Sequence, residues 1–376
     1  MLKSEIYLDY AANTPADPRV VETFAQSELN FYGNPNSKHR AGEKAKAEMA
    51  AVTARIAELL AVNSSEVIYT SGATESNNTA IKGIVCRMPK GSRVLTTPLE
   101  HSSVNACMDY LKKKGYEVLE VKVNRSGAVE IESLRELVNE NTVLFAVSAI
   151  DSETGSIRNI DEIKMFLKDH PGCMLHVDAT QAMGKIPFDF TDGDTVSLSA
   201  HKFFGINGSG LLIKKRHVKM EPLLNGGSST TIFRSGTPTL ALAAALGKAL
   251  ELAVLGLDER YMKVKELNRY LRDRLKELPE VLIISPEDAV PHIINLAVDG
   301  IRGVNMQKML DERGIYVSVK SACADAGLPS KAVMAITGDR RISNSSFRVS
   351  MSYLTEKEEL DELIKALGEI ISAKKA

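Results

Sequence analysis

Residues 174–202 read M-L-H-V-D-A-T-Q-A-M-G-K-I-P-F-D-F-T-D-G-D-T-V-S-L-S-A-H-K. Two short apolar runs stand in this stretch, Met174 to Val177 and Thr195 to Ser199, and each leads into a residue of strong chemistry. Asp178 closes the first. A carboxylate is rarely buried without a cationic partner, and a ligand with a protonated ring nitrogen would supply one. Asp equally suits the N-cap of a following helix, so Asp178 fits either use. Lys202 follows the second run. The carboxyl end of a sheet strand is where α/β enzymes place functional groups, and a desolvated lysine has a lowered pKa and forms Schiff bases. Taken alone, Lys202 reads most simply as an exposed strand-end lysine. The two residues lie 24 positions apart, which leaves room for one βα excursion between neighbouring strand ends.

Outward from this stretch, the chain from about 65 to 215 repeats the same grammar. Strand-like runs occur at Val67–Thr70, Val94–Thr97, Val118–Val123, Val143–Ile150, Met174–Val177, Thr195–Ser199 and Gly210–Ile213. Helical patterns such as Asn77 to Val85 and Ser103 to Lys113 lie between them. Alternation of this kind predicts an α/β layer with a mostly parallel sheet. Several runs carry almost no polar alternation, as expected when helices cover both faces. The character changes near Gly256. A charged helix is predicted from Asp258 to Leu278, with Tyr261, Val264, Leu267, Leu271, Leu275 and Leu278 as its apolar stripe. Strands follow at Val281–Ile284 and Ile293–Val298. A last helix carries Leu360, Leu363, Ile364, Leu367, Ile370 and Ile371 on one face, and Thr355-Glu356-Lys357-Glu358 reads as its capping box. The expected organisation is a large domain over residues 16–256. A smaller α+β domain is expected from residues 1–15 and 257–376.

Composition narrows the class. The chain has 376 residues, 44% of them hydrophobic and 25% charged, with a formal net charge of −1. This length favours two domains, and the balance gives no electrostatic reason to expect nucleic acid or an anionic membrane as partner. The four cysteines, at 86, 107, 173 and 323, form neither a metal motif nor a disulfide framework. The N-terminus shows no signal-peptide core. The greasy stretch Leu240 to Leu255 is interrupted by Lys248 and Glu251 and reads as a buried helix, not a membrane span. A soluble cytoplasmic enzyme is the expectation.

A third motif joins the two strand ends. Thr70-Ser71-Gly72-Ala73-Thr74-Glu75-Ser76-Asn77 follows a strand and precedes a helix. Small residues there let backbone N–H groups converge on an anion at the positive helix end, although a plain helix cap explains the motif as well. Together, an anion cradle, a ring-nitrogen carboxylate and a Schiff-base lysine are the fixtures that pyridoxal 5′-phosphate requires.

On these residues and on further blocks, the chain resembles the cysteine desulfurases of the class V aminotransferase group, within the fold-type I pyridoxal-phosphate enzymes. The blocks are Leu8-Asp9-Tyr10-Ala11-Ala12, Gly33-Asn34-Pro35-Asn36-Ser37-Lys38-His39, the S-G-A-T-E-S-N-N run, Glu100-His101-Ser102-Ser103-Val104, H-V-D-A-T-Q, S-A-H-K, Arg234-Ser235-Gly236-Thr237, Ser321-Ala322-Cys323 and Phe347-Arg348-Val349-Ser350. The resemblance implies an L-cysteine desulfurase that passes sulfur to Cys323 as a persulfide and releases L-alanine. Lys202 would hold the cofactor and move the substrate proton, Asp178 would pair with the ring nitrogen, Gln181 with the phenolic oxygen, and His101 would stack on the ring. Ala73, Thr74, Ser199 and His201 would hold the phosphate, and Thr237 would reach the phosphate of a neighbouring subunit in a homodimer. Arg348 would grip the substrate carboxylate, a role suited to a guanidinium fork. Asn34 and Ser152 would lie on the substrate side.

The match departs at three places. Ser152 stands where many members carry Asn, Ser228-Ser229-Thr230 replaces a block with Gln or His and then Glu, and Lys320 precedes Ser321-Ala322-Cys323 in place of a small residue. These departures bear on substrate and turnover, so a related lyase acting on selenocysteine or cysteine sulfinate, or an aminotransferase, is the alternative. A non-catalytic sulfur carrier or scaffold is a third reading, opposed by Lys202, Asp178, His101 and Arg348. The chain stops soon after its last amphipathic pattern, short of the extension with which longer relatives dock an iron–sulfur scaffold. The sulfur acceptor, in iron–sulfur cluster biogenesis or a thiolation pathway, is therefore left open.

Overall fold

The computed structural model describes residues 5–227, 230–320 and 329–375. Cys323 and the Ser228-Ser229 departure lie outside them. The first part of the chain runs β1 (Ile6–Tyr7), α1 (Pro18–Asn30), α2 (Arg40–Leu59), β2 (Val67–Thr70), α3 (Ala73–Val85), β3 (Arg93–Thr96), α4 (Ser102–Lys113), β4 (Glu117–Glu120), α5 (Ile131–Leu137), β5 (Thr142–Ser148), α6 (Ile160–Leu167), β6 (Met174–Asp178), β7 (Thr195–Ser199) and β8 (Gly210–Lys214). All seven strand-like runs read from the sequence are strands of one sheet, in the order β2-β8-β7-β6-β5-β3-β4. Neighbours pair parallel except β8, which runs antiparallel to both β2 and β7.

Both faces of this sheet are covered, and the pleat sorts the residues between them. On β5, Phe145 and Val147 face one core while Leu144 and Ala146 face another; on β8, Leu211 and Ile213 oppose Leu212 in the same way. Successive side chains in a strand point to opposite faces. With apolar groups on both sides the strands lose polar alternation, which is why the runs read as nearly continuous. Each fully buried Leu, Ile or Phe here contributes about 1.5–3 kcal/mol.

The second part runs α7 (Leu240–Leu255), α8 (Leu257–Leu275), β9 (Val281–Ile283), β10 (Ile293–Val298), α9 (Gly303–Asp311), β11 (Ile315–Tyr316), α10 (Lys331–Thr337), α11 (Arg340–Ser345), β12 (Ser346–Ser350) and α12 (Lys357–Lys375). Helix α7 packs against α1 and α2. Among the described residues no single helix is long and apolar enough to cross a membrane. A three-stranded antiparallel sheet, β12-β10-β9, supports a separate core. It receives Val264, Leu267, Leu271 and Leu275 of α8 and the whole predicted apolar face of α12. Ile6 and Leu8 join this core, and β1 pairs parallel with β11.

The start of α12 corrects one expectation. Thr355 does not close a capping box with Glu358: its hydroxyl accepts from the Ser352 N–H at 3.1 Å, inside the preceding turn. Glu359 instead reaches back to the Glu356 N–H at 2.9 Å. The turn consumes the Thr355 oxygen, so the reciprocal bond shifts by one residue.

Candidate active site

The parallel strands β2, β3, β5, β6 and β7 end along one sheet edge, and a cleft of ≈ 250 Å³ opens there. The sheet register sets its floor. Ser148 lies beside Asp178, and Asp178 beside Ser197. At the other end Gly210 pairs with both Thr70 and Ser199. This is the carboxyl-end crevice that α/β sheets offer to ligands.

Glycine makes the anion end possible. Gly72, at φ +146°, is the N-cap of α3 and gives no side-chain cap. A Cβ on Gly210 would lie 2.6 Å from the Gly72 Cα and 2.7 Å from the Leu198 carbonyl. Only glycine therefore lets β8 approach the helix start so closely. The N–H groups of the first turn of α3, at Ala73 and Thr74, are those a helix leaves without intrahelical acceptors. Ser199 lies against this turn, its hydroxyl 2.9 Å from His201 Nδ1. Burial, with Lys202 adjacent, pushes the His201 imidazole down to about 4. Both effects favour the neutral imidazole, a hydrogen-bonding group.

Asp178 lies at the other end, buried at the close of β6. One oxygen accepts from Asn77 Nδ2 at 2.7 Å and the other from the Thr180 N–H at 3.0 Å. Lys202 sits in a 3₁₀ turn directly after β7, and its Nζ donates to the carbonyls of Ala11 (2.8 Å) and Ala12 (2.7 Å). Gln181 Nε2 also donates to the Ala11 carbonyl, at 2.9 Å. His101 caps α4 and accepts from the Ser103 N–H at 3.2 Å. Burial lowers its pKa, aided by Lys202 and Arg348 and opposed by Asp178.

Arg348, at the cleft boundary, is 1% exposed. Its Nη2 donates to Asp9 Oδ1 at 2.7 Å and its Nη1 to the Ser152 carbonyl at 2.8 Å. The Ser152 contact is thus made by the backbone, whichever side chain stands there. Asp9 also accepts from the Ser318 hydroxyl at 2.8 Å, and Ser318 and Arg348 exchange backbone hydrogen bonds. The segment leading to Cys323 therefore starts beside Arg348.

The structure gathers Ala73, Thr74, His101, Ser152, Asp178, Gln181, Ser199, His201, Lys202 and Arg348 around one cleft. It places Asn34 and Thr237 elsewhere. They line a separate open hollow with Phe31, Tyr32 and Pro238. Asn77 and Asp9 touch the key groups and went unassigned from sequence. Asn77 stands four residues after Ala73, on the same helical face, and is fully buried; Asp9 sits in the quoted Leu8–Ala12 block.

A family model described as "Aminotransferase class-V" matches residues 6–363. The chain belongs to the class-V aminotransferase family. A "Cysteine desulfurase IscS" of Dictyoglomus turgidum is 34% identical over 376 residues, covering 98% of this chain and 95% of that protein. A solved "NIFS-LIKE PROTEIN" superposes with TM-score 0.90 at 34% identity, over 98% of this chain and 99% of that one. The structure titled "SspA in complex with cysteine" gives TM-score 0.81 at 27% identity, over 92% and 98%.

The cofactor of class-V aminotransferases is pyridoxal phosphate, and the cleft fits it. A helix N-terminus, a buried carboxylate and an amine line one cavity. Near the carboxylate, Gln181 Oε1, Thr180 Oγ1 and Ser148 Oγ are buried polar atoms without partners among the described residues. Such atoms are costly unless a ligand or water meets them.

Proposed function

We propose that the chain is a pyridoxal-phosphate-dependent L-cysteine desulfurase. The observation that carries this reading is the convergence of Lys202, Asp178, His101 and the α3 N-terminus on one cleft, bounded at its other side by the carboxylate-binding Arg348. Relatives and a structural neighbour whose names specify cysteine chemistry support the choice of substrate. When bound, the cofactor supplies an electron sink for bond changes next to the substrate amine.

The chain's own groups divide the remaining work. The α3 N–H groups at Ala73 and Thr74, with Ser199 and His201, hold the phosphate. Asp178 presents negative charge to the ring nitrogen, and Gln181 offers its unpartnered oxygen beside the ring substituents. Lys202 anchors the cofactor and then carries protons between substrate atoms. Arg348 orients the substrate carboxylate, braced by Asp9. The thiolate of Cys323 attacks the substrate sulfur: an S–S bond forms, the carbon–sulfur bond breaks, and its electron pair is taken up and protonated to give L-alanine. The persulfide then passes to an acceptor protein, in iron–sulfur cluster biogenesis or a thiolation pathway. In the same reading the active unit is a cytoplasmic homodimer, with Asn34 and Thr237 in the second hollow facing the other copy.

Mass spectrometry after incubation with cysteine tests the assignment. A gain of one sulfur on the peptide carrying Cys323, with one alanine released per sulfur, is expected. The Cys323→Ala protein should keep its cofactor colour and gain no sulfur. Turnover of another amino acid with none of cysteine would overturn the reading.

A further inference from the structure

Asn77 has no role in the steps above, yet it is the hub of the buried hydrogen-bond network under the cleft. We propose that Asn77 is a positioning residue that joins Asp178 to His101 and fixes the tautomer of His101. This deepens the function proposed above and rests on its placing of Asp178 and His101 around the cofactor ring.

Donor and acceptor counting gives the argument. The Asn77 amide has two hydrogens on Nδ2 and acceptor capacity only on Oδ1. Nδ2 lies 2.7 Å from Asp178 Oδ2 and 2.9 Å from Ser103 Oγ, so both hydrogens are used. Oδ1 lies 3.0 Å from His176 Nε2, which must then carry a hydrogen. His176 Nδ1, at 2.9 Å from Thr195 Oγ1, accepts the threonine proton. Burial lowers the His176 pKa, which suits a neutral ring with one N–H. The reversed amide would set its oxygen against the Asp178 carboxylate, two acceptors face to face, so the network permits one orientation.

The consequence reaches His101. The Ser103 hydroxyl accepts from Asn77 and is left with its own hydrogen to give. The atom facing it is His101 Nδ1, at 2.8 Å, and the Ser103 backbone N–H points at that same nitrogen from 3.2 Å. His101 Nδ1 is therefore an acceptor, and the neutral ring carries its proton on Nε2. Charged and titratable groups around the ring come from several elements: Asp178 at the end of β6, His201 and Lys202 after β7, and Arg348 on β12. With Nδ1 committed, Nε2–H is a hydrogen-bond donor, and protonating the ring at Nδ1 would break the Ser103 link. The network therefore sets His101 as a hydrogen-bond donor through Nε2 and leaves proton transfer to Lys202.

Ring ¹⁵N spectra of histidine-labelled, cofactor-loaded protein test this, with His101→Gln assigning the His101 signals. Parent protein should show the Nε2–H tautomer. Ser103→Ala removes the shorter, hydroxyl donor to Nδ1 and leaves only the backbone N–H, so a fraction of the Nδ1–H form should appear and the His101 pKa should rise, since donors to the neutral ring oppose its protonation. Ser103→Thr keeps a hydroxyl and should restore the parental spectrum. Asn77→Asp sets a second carboxylate against Asp178 and should raise the His101 pKa further. Parental tautomer and titration in both Ser103→Ala and Asn77→Asp would overturn the proposal. A poorly folding Asn77 variant leaves the Ser103 pair decisive. No substrate is present, so a protein that fails to desulfurate cysteine still reports on His101.

Discussion

Glu100 precedes His101 in the chain and is buried. One of its oxygens accepts from the Thr97 hydroxyl at 2.6 Å and the other has no partner among the described residues. Burial pushes its carboxyl up to about 7, against the attraction of Arg158. An acid whose folded pKa lies above its unfolded value binds more protons folded than unfolded. Its contribution to stability is therefore full at low pH and is lost as pH rises from about 4.5 to about 7. The loss is about 3 kcal/mol, since one pKa unit is about 1.4 kcal/mol. Glu100→Gln cannot ionise, so its thermal midpoint relative to the parent should climb between pH 5 and pH 8. Parallel pH profiles would contradict this. Residues of this kind mark the limit of reading by sequence. The strand-end positions of Asp178 and Lys202 were legible because each follows a strand-like run. Asn77 and Asp9 were not, because their partners stand 101 and 339 positions away, and only the fold makes them neighbours.

At the scale of elements, the seven strands were legible because burial on both faces leaves continuous apolar runs. The direction of β8 was not. Antiparallel neighbours need only a short turn and parallel ones a crossover of about a dozen residues. The segment from Ala200 to Ser209, which holds Lys202, falls between these cases. That antiparallel return brings Gly210 under the α3 N-terminus, and the junction there is the element most sensitive to one methyl group. In Gly210→Ala the Cβ meets backbone at 2.6 Å, so β8 and the start of α3 must separate. The N–H cradle should open with them. Cofactor affinity, read by absorbance titration of the cofactor-free protein, should fall at least tenfold, about 1.4 kcal/mol. Unchanged affinity would mean that the phosphate is held elsewhere.

At the scale of the whole molecule, the N-terminal segment stitches the large sheet to the smaller one. Ile6 and Leu8 enter the second core, while the carbonyls of Ala11 and Ala12 hold Lys202 at the first. Asp9 stands between, bonded to Arg348 of β12 and to Ser318, while Arg348 also grips the Ser152 carbonyl beyond β5. Periodicity reveals each core separately but carries no information about this stitch, which depends on three segments meeting at one guanidinium. Arg348 is buried and Asp9 partly so, and removing Asp9 leaves a buried guanidinium charge without its carboxylate partner. Asp9→Ala should therefore lower the thermal midpoint clearly. Asp9→Asn keeps an acceptor for Ser318 but removes the charge that fixes the guanidinium, so it should lower the midpoint less. In that variant KM for cysteine should rise severalfold with a smaller change in kcat, because the brace acts on substrate placement. Steady-state kinetics of Asp9→Asn checks the point. A fall in KM would show instead that Asp9 competes with the substrate carboxylate for Arg348.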